Sequence, residues 1–133
     1  GKKNTYLAKE EGCIYNKPLA LLVDEDSASA SEIMSSALKD NKRAVLIGTK
    51  TYGKGLVQQI YPMPNSSGLN LTIAKYLTPK GVDINKKGIN PNYQVNYSIS
   101  DYTNKTDSQL DYAKKYLRET LKKGENNNVI GFN

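Results

Sequence analysis

The chain has no histidine, so a serine nucleophile would need a different base. Ser29 and Lys54 are a pair whose types could act together in this way. A serine hydroxyl is a poor nucleophile until a neighbouring base removes its proton, and a lysine amine can be that base. An amine accepts a proton only when it is neutral. Burial favours the neutral form by lowering a lysine pKa from ~10.4 toward roughly 7–8. This chemistry therefore requires Lys54 to be buried beside Ser29.

Lys54 lies in the glycine-rich segment GTKTYGKG, residues 48–55, directly after the apolar run AVLI. Gly53 and Gly55 have no β-carbon, so other backbone can pack closely around the lysine. The segment is also most of a phosphate-binding loop. That interpretation fails because Gly55 stands where the motif needs a Ser or Thr for magnesium. The following LVQQIY also favours a strand over a helix that faces the phosphates.

Ser29 lies in the run SASASEI, where a helix is predicted to begin. At such a position the helix dipole and the free N–H groups stabilise developing negative charge, as a nucleophile requires. Ser29 and Glu32 also fit the capping box S-x-x-E, in which the serine only caps the helix. Spacing alone favours the cap, and Ser27 and Ser31 are equally suitable caps.

Gln58 is the third candidate, because it follows Lys54 at an even spacing in an extended segment. Residues at even spacing in a strand share a face, so Gln58 can point toward the same site. The alternatives are that Lys54 is a solvated loop lysine and that Gln58 faces outward.

A second serine–lysine pair, Ser36 and Lys39, has the S-x-x-K spacing of penicillin-recognising enzymes. Those enzymes place the pair at a helix start, whereas here it falls near a helix end. Lys50-Thr51 is also followed by tyrosine rather than glycine. Chance occurrence on a lysine-rich helix explains this pair better.

The elements that must position these residues follow from the hydrophobic pattern. Residues 18–23, PLALLV, are typical of a strand buried on both faces. A helix is predicted from the following serine-rich run to about Asp40, and residues 43–48 read as a second buried strand. Strand, helix and strand within about thirty residues indicate a βαβ unit with a parallel sheet. The predicted apolar face of the helix consists of Ala30, Ile33, Met34, Ala37 and Leu38.

The second half of the chain predicts a hairpin and a last helix. Residues 56–61 and 69–76 read as strands that pair across a turn rich in Pro, Asn, Ser and Gly. Residues 78–95 read as one long loop. The last helix is predicted to begin after Asp107 as N-cap and to end at Gly124 as C-cap, with a frayed tail after Glu125. Its predicted apolar face consists of Leu110, Ala113, Leu117 and Leu121.

Composition limits the size of the fold and the classes of function that the chain can have. The 133 residues are enough for one domain with a core, and the net charge of +6 comes from scattered lysines. Such a distribution indicates a solvated surface rather than a nucleic-acid site. The lack of histidine excludes a Ser-His-Asp triad, a Cys-His dyad and histidine-ligated metal. Cys13 is the single cysteine, so it cannot form an internal disulfide. No apolar run is long enough to span a membrane, and no signal peptide opens the chain.

Taken together, these motifs resemble the carboxy-terminal processing proteases, also called tail-specific proteases. The resemblance rests on SASASEI, an alanine- and leucine-containing helix, a strand, and T-Y-G-K-G-x-x-Q at the expected spacing. Further matches are LTIAKY at 71–76, Thr78-Pro79 and the Gly-Ile-Asn-Pro run at 88–91; Asn92 departs from the acidic residue that is more usual there. The resemblance covers residues 17–95 strongly and the last helix weakly.

The resemblance implies a role for each candidate residue. Ser29 would be the nucleophile, Lys54 the general base, Gln58 the residue that orients the lysine, and the backbone N–H of Ala30 an oxyanion donor. The segment that supplies the other oxyanion donor in the family is missing from residues 1–133. Losing one such donor costs on the order of a hundredfold in rate.

The resemblance also implies the class of the protein. The expected fold is α/β with a ClpP/crotonase-like core, here a partial domain that forms the C-terminal part of a catalytic domain. The expected activity is serine endopeptidase cleavage of unfolded or C-terminally tagged proteins through an acyl-enzyme, without cofactor or metal. The family is extracytoplasmic, usually has a PDZ domain upstream, and can form homo-oligomers; no nucleic-acid partner is expected.

A rival hypothesis is a catalytically inactive fragment or relative that acts as a binding or assembly module. The discriminating feature is the geometry of Ser29. In an active site its hydroxyl lies within hydrogen-bond reach of the Lys54 amine. In an inactive chain Ser29 caps the helix and Lys54 points into solvent.

Overall fold

The structure is a computed structural model that describes residues 5–7, 11 and 15–128. Within these residues the chain forms five strands and three helices. In chain order they are β1 (Ala20–Val23), α1 (Ala30–Asp40), β2 (Val45–Gly48), β3 (Leu56–Pro62), β4 (Gly68–Lys75), β5 (Tyr93–Gln94), α2 (Ile99–Asn104) and α3 (Ser108–Asn128).

The βαβ unit predicted from the sequence is confirmed. β1 and β2 pair in parallel, with Leu22 opposite Ile47, and α1 connects them. Side chains of successive strand residues point to opposite faces of a sheet. Since Leu46 and Ile47 are both 0% exposed, β2 is covered on both faces. This is the environment predicted for both strands. The prediction is wrong for β1, because Leu22 is 38% exposed.

The core continues into the segment predicted to be a loop. Val23 and Leu46 pack with Ile84 and Ile89, which come from residues 78–95. The end of this segment forms β5, which pairs in parallel with β2 and was not predicted. A strand of two residues is too short to give a pattern in the sequence. Asn92 fixes it in place, because its Oδ1 accepts the backbone N–H of Leu46 at 2.9 Å.

The predicted apolar face of α1 is wrong as a description of its buried face. The buried residues are Glu32, Ser35 and Ser36, whereas Met34 is 56% exposed. The two serine hydroxyls donate to backbone carbonyls one turn earlier, of Ser31 and of Ile33, so burial leaves neither unpaired. Small, internally paired side chains pack closely, and the carboxylate of Glu32 is held by partners described below.

The predicted hairpin is confirmed. β3 and β4 pair antiparallel and form a separate two-stranded sheet, with a bulge between Val57 and Gln58. Every residue of β4 is exposed, so the hairpin extends away from the core. The larger apolar side chains left exposed on it are Ile60, Tyr61, Leu69, Leu71 and Ile73.

The last helix begins where predicted and extends further. Asp107 Oδ1 accepts the backbone N–H of Leu110 at 2.9 Å, as an N-cap does. The prediction that Gly124 is the C-cap is wrong, because α3 continues to Asn128. Residues 126–128 are helical rather than frayed, and the rest of the predicted tail, residues 129–133, lies outside the described part. The short helix α2 was not predicted. None of the helices in the described ranges is long and apolar enough to cross a membrane.

Candidate active site

An open cleft of about 380 Å³ brings together three of the residues singled out by the sequence, Ser29, Lys54 and Gln58. Ser29 comes from the turn between β1 and α1, Lys54 from the turn before β3, and Gln58 from β3 itself. The remaining lining residues are Leu56, Val57, Ile60, Asn70 and Tyr76. The cleft is therefore polar at the Ser29 end and partly apolar along the hairpin.

Ser29 has an unusual backbone conformation, with φ 55° and ψ −114°. A positive φ is costly for a residue with a β-carbon, by about 1–3 kcal/mol, and persists where surrounding structure enforces it. Such a sharp strand-to-helix turn presents a serine hydroxyl at the end of a sheet. The next residue, Ala30, is the first of α1, so its N–H has no acceptor within the helix. No hydrogen bond between described residues uses that N–H.

The Ser29 hydroxyl is not committed to capping the helix. Ser29 and Glu32 have the arrangement of a capping box, but the Ser29 side chain makes no cap hydrogen bond. The other half of the box is formed, since the backbone N–H of Ser29 donates to Glu32 Oε2 at 3.1 Å. Ser29 is half-buried at the cleft. The hydroxyl therefore remains available for another partner.

Glu32 is fully buried and accepts four hydrogen bonds, three of them from the turn that carries Lys54. Oε1 accepts from Thr51 Oγ1 at 2.6 Å and from the Gly53 N–H at 2.7 Å. Oε2 accepts from the Lys54 N–H at 2.8 Å and from the Ser29 N–H. One carboxylate thus connects the Ser29 turn with the Lys54 turn. Glu32, Ser29, Thr51, Gly53 and Lys54 are called the Glu32 cluster below.

Backbone contacts reinforce this connection. The Tyr52 N–H donates to the Ser27 carbonyl at 3.1 Å, which joins the same two turns a second time. Thr51 Oγ1 also accepts the backbone N–H of Ile89 at 2.8 Å. The segment that completes the core is therefore attached to the Glu32 cluster as well.

The glycines beside Lys54 allow a close backbone approach, as the sequence predicted. A β-carbon on Gly53 would lie 2.8 Å from the backbone nitrogen of Gly88, and one on Gly55 would lie 2.6 Å from that of Asn85. Gly53 also has a φ of +94°, which L side chains rarely adopt. The neighbour that comes so close is the 85–88 segment, which packs against the Lys54 turn.

The predicted burial of Lys54 is wrong for the described chain, because Lys54 is exposed. It lines an open cleft together with Ser29 and residues of the hairpin. Among the described side chains, no hydrogen bond joins Lys54 to Ser29 or to Gln58. Gln58 Oε1 instead accepts from Asn70 Nδ2 across the hairpin at 3.3 Å. The structure brings the three residues to one cleft without joining their side chains.

The second serine–lysine pair does not form a site. Ser36 Oγ donates to the carbonyl of Ile33 at 3.0 Å, and Lys39 Nζ donates to the carbonyl of Asn90 at 2.6 Å. Both groups have structural partners, as expected for a chance pattern.

A larger cavity of about 580 Å³ lies elsewhere, at the carboxyl ends of β1 and β2, and contains none of the predicted site residues. It is lined by acidic side chains that include Asp24, Glu25 and Asp107. The Thr49 hydroxyl, which donates to Glu25 Oε2 at 2.7 Å, lowers the pKa of that carboxyl. No group of His, Cys, Asp and Glu side chains within the described residues is arranged to hold a metal ion. The lining of the larger cavity therefore lacks the serine and lysine that the smaller cleft contains.

The sequence identified Glu32 only as a partner of Ser29 in a capping box. Its three hydrogen bonds to the Lys54 turn depend on tertiary structure that no local pattern reveals. The predicted apolar face of the helix did not include Glu32, so no local signal indicated its burial.

Comparison with known proteins gives a family and several relatives. The sequence profile of Peptidase family S41 matches residues 1–95. The chain is 40% identical over 120 residues to the "Carboxyl-terminal-processing protease" of Synechocystis sp., covering 88% of this chain and 28% of that protein. The chain thus spans roughly a quarter of the length of this curated relative.

Two solved structures resemble the described fold. The photosystem II D1 C-terminal processing protease is 48% identical with a TM-score of 0.56, covering 59% of this chain and 20% of that one. The tricorn protease is 26% identical with a TM-score of 0.68, covering 77% of this chain and 10% of that one. The predicted α/β fold class, with a ClpP/crotonase-like core, is confirmed by these likenesses.

Proposed function

This chain belongs to peptidase family S41, and on that premise we propose that it carries the serine–lysine centre of a carboxy-terminal processing endopeptidase. Residues 1–133 then form the C-terminal part of its catalytic domain. Ser29 is the nucleophile, Lys54 the general base, Gln58 the residue that orients the base, and the Ala30 N–H an oxyanion donor. The substrates are unfolded or C-terminally tagged proteins.

Acylation begins when Lys54 Nζ takes the proton of the Ser29 hydroxyl as Oγ attacks the scissile carbonyl carbon. The negative charge that develops on the carbonyl oxygen is stabilised by the Ala30 N–H at the start of α1. The carbon–nitrogen bond then breaks, and Lys54 returns the proton to the departing amine. An ester on Ser29 remains.

Deacylation repeats these steps with water. Lys54 takes a proton from the water as its oxygen attacks the ester carbon, and Ser29 leaves with the proton that Lys54 gives back. The products are a new carboxyl terminus and a regenerated hydroxyl. No step uses a metal or a cofactor.

The observation that carries this proposal is the Ser29 conformation. A serine held at positive φ lines one cleft with Lys54 and Gln58, and its hydroxyl makes no cap hydrogen bond although it stands in a capping box. A residue that only caps a helix has extended backbone and bonds to the N2 or N3 N–H. The strain at Ser29 therefore favours a functional role over a structural one.

The exposure of Lys54 fits a site that other parts of a longer protein complete. We propose that an upstream segment covers the cleft, buries the amine and supplies the second oxyanion donor. A PDZ domain in that upstream part would capture the C-terminal tail of the substrate, and the protein would act outside the cytoplasm. Assembly into a homo-oligomer is compatible with this arrangement.

The test is a cleavage assay of the full-length protease on an unfolded protein such as casein. Ser29→Ala and Lys54→Ala should each abolish cleavage, because each removes one partner of the proton transfer. Ser31→Ala and Lys50→Ala are matched controls from the same segments and should retain it. Cleavage that survives in Ser29→Ala or Lys54→Ala would refute the assignment.

The second candidate, a non-catalytic binding or assembly module, is favoured by one observation. Lys54 is exposed and has no hydrogen bond to Ser29 in the described chain. The serine–lysine proposal predicts that the isolated 133-residue chain turns over far more slowly than the full-length protein. Comparable turnover by both would show that the missing part is not needed, whereas no turnover by either would favour the module.

A further inference from the structure

We infer that Glu32 is a positioning residue of the proposed serine–lysine centre, which sets the separation of the nucleophile and the base through their backbones. The inference rests on the proposed function and adds to it a residue that takes no part in the proton transfers. It depends on how the four hydrogen bonds of one buried carboxylate are distributed.

The two oxygens of Glu32 have different partners. Oε2 accepts from the backbone N–H groups of Ser29 and Lys54, at 3.1 and 2.8 Å, which are the two residues that must exchange a proton. Oε1 accepts from Thr51 Oγ1 and from the Gly53 N–H, and so holds the turn that leads to Lys54. Oε2 therefore bridges the backbones of Ser29 and Lys54 directly.

Capping alone does not account for this arrangement. A capping-box glutamate needs one hydrogen bond, to the N-cap N–H. Glu32 is 0% exposed and has three more donors, which come from residues 19 to 22 positions away in the chain. A carboxylate offers about four lone-pair sites, so its acceptor capacity is fully used.

The amide of glutamine cannot replace this carboxylate. In Glu32→Gln one oxygen becomes an NH₂ group, which only donates, so two of the four donors lose their acceptor. The Ser29 or Lys54 turn then relaxes, and a displacement of about 1 Å between reacting groups costs on the order of a hundredfold in rate. Aspartate keeps the charge but is one methylene shorter, so it reaches fewer of the donors.

The chain provides a matched control in Asp101. This carboxylate is also buried, is also at N3 of a capping box, and accepts from several donors, but it does not line the cleft. Asp101→Asn should disturb stability in a comparable way without touching either turn.

The experiment measures kcat and KM of the full-length protease on casein for Glu32→Gln, Glu32→Asp and Asp101→Asn, with thermal unfolding of each. We expect Glu32→Gln to lower kcat on the order of a hundredfold. KM should change by less than about threefold, since this residue does not touch the substrate. Glu32→Asp should recover part of kcat, and Asp101→Asn should keep kcat within about twofold while its melting temperature falls.

Two outcomes would overturn the inference. One is a folded Glu32→Gln variant with wild-type kcat; the other is an equal loss of kcat in Asp101→Asn, which would show a general effect of stability. If Glu32→Gln does not fold, Glu32→Asp decides, because wild-type kcat in that variant would contradict the inference. Ser29→Ala, measured alongside, separates the two proposals. An active Ser29→Ala refutes the proposed function, whereas an inactive Ser29→Ala beside a fully active Glu32→Gln refutes this inference alone.

Discussion

Two buried carboxylates of this molecule occupy the same position of a capping box, but they have different hydrogen-bond partners. Glu32 and Asp101 each stand three residues after a serine N-cap, and each accepts the backbone N–H of that serine. The other partners of Asp101 are Thr106 and Ser108, close by in the chain. The other partners of Glu32 come from a separate turn, beyond β2. Asp101, Ser98, Thr106 and Ser108 are called the Asp101 cluster.

The difference shows what each cluster does for the fold. The Asp101 cluster connects α2 to the start of α3 and can form as soon as that stretch of chain folds. The Glu32 cluster forms only when β1, α1 and β2 are already assembled, because its donors come from the turn after β1 and from the turn after β2. A local cluster stabilises one connection, whereas the Glu32 cluster fixes the relative position of two turns at a cleft.

The largest expected effect is that of Gly53→Ala, which displaces the backbone of a residue whose N–H donates to Glu32. The added β-carbon would lie 2.8 Å from the Gly88 nitrogen at a φ of +94°. We expect the free energy of unfolding to fall by about 2–4 kcal/mol. Urea denaturation measures it. The matched control is Gly81→Ala, with a φ of +77° and no heavy atom near the added carbon, which should lose only about 1–2 kcal/mol. Equal losses would show that the close approach does not matter.

The next prediction compares the loss of stability on removing one threonine hydroxyl from each cluster, Thr51 and Thr106. Thr51→Val removes the hydroxyl that donates to Glu32 and accepts the Ile89 N–H, in a residue only 4% exposed. Leaving such groups unpaired costs about 1–3 kcal/mol. Thr106→Val removes the 3.2 Å hydrogen bond from an exposed residue to Asp101 and should cost less than about 0.5 kcal/mol. If both variants unfold at the same urea concentration, the two clusters are energetically equivalent and the comparison fails.

Acid should affect the Asp101 cluster in a defined pH range. The Ser98 hydroxyl and N–H, with further hydroxyls, lower the pKa of Asp101 from 3.8 to about 2. Since the folded-state pKa is the lower one, the stabilisation is fully present above about pH 4 and is lost as the pH falls toward 2. Stability measured across this range should therefore decline less steeply in Asp101→Asn than in wild type. Parallel profiles would mean that Asp101 does not contribute to the decline.

The smallest expected effect is a gain. Lys105 ends α2 in the left-handed conformation, with φ 54° and ψ 39°. Glycine adopts this conformation without the cost of a β-carbon. Lys105→Gly should therefore raise the free energy of unfolding by about 1 kcal/mol. Thermal unfolding detects the gain as a higher melting temperature, and cleavage by the full-length protease should not change. A lower melting temperature would contradict the conformational argument.

The sequence predicted the elements whose patterns are long and periodic. The βαβ unit, the hairpin and the start of α3 are all present, because buried strands are apolar and turn residues mark their ends. β5 was missed because two residues cannot show a period. The end of α3 was misplaced because glycine near a helix end is compatible with continuation as well as with a cap.

The sequence also predicted which residues meet at the cleft, but not how they are held. Ser29, Lys54 and Gln58 came from spacing and resemblance, and they do line one cleft. The burial of Lys54 was wrong for the described chain, since burial depends on what covers the cleft and not on the flanking glycines. The role of Glu32 depends on a turn some twenty residues away, and a local pattern contains no information about such a partner.

The most direct test of the central claim is covalent labelling of Ser29 in the full-length protease. A fluorophosphonate reacts with a serine whose hydroxyl is activated by a base, and mass spectrometry identifies the labelled peptide. We predict a label on Ser29 that is lost in Lys54→Ala and kept in Lys50→Ala. An unlabelled Ser29 in the wild-type protein, or a label that survives in Lys54→Ala, would contradict the claim that Lys54 activates Ser29.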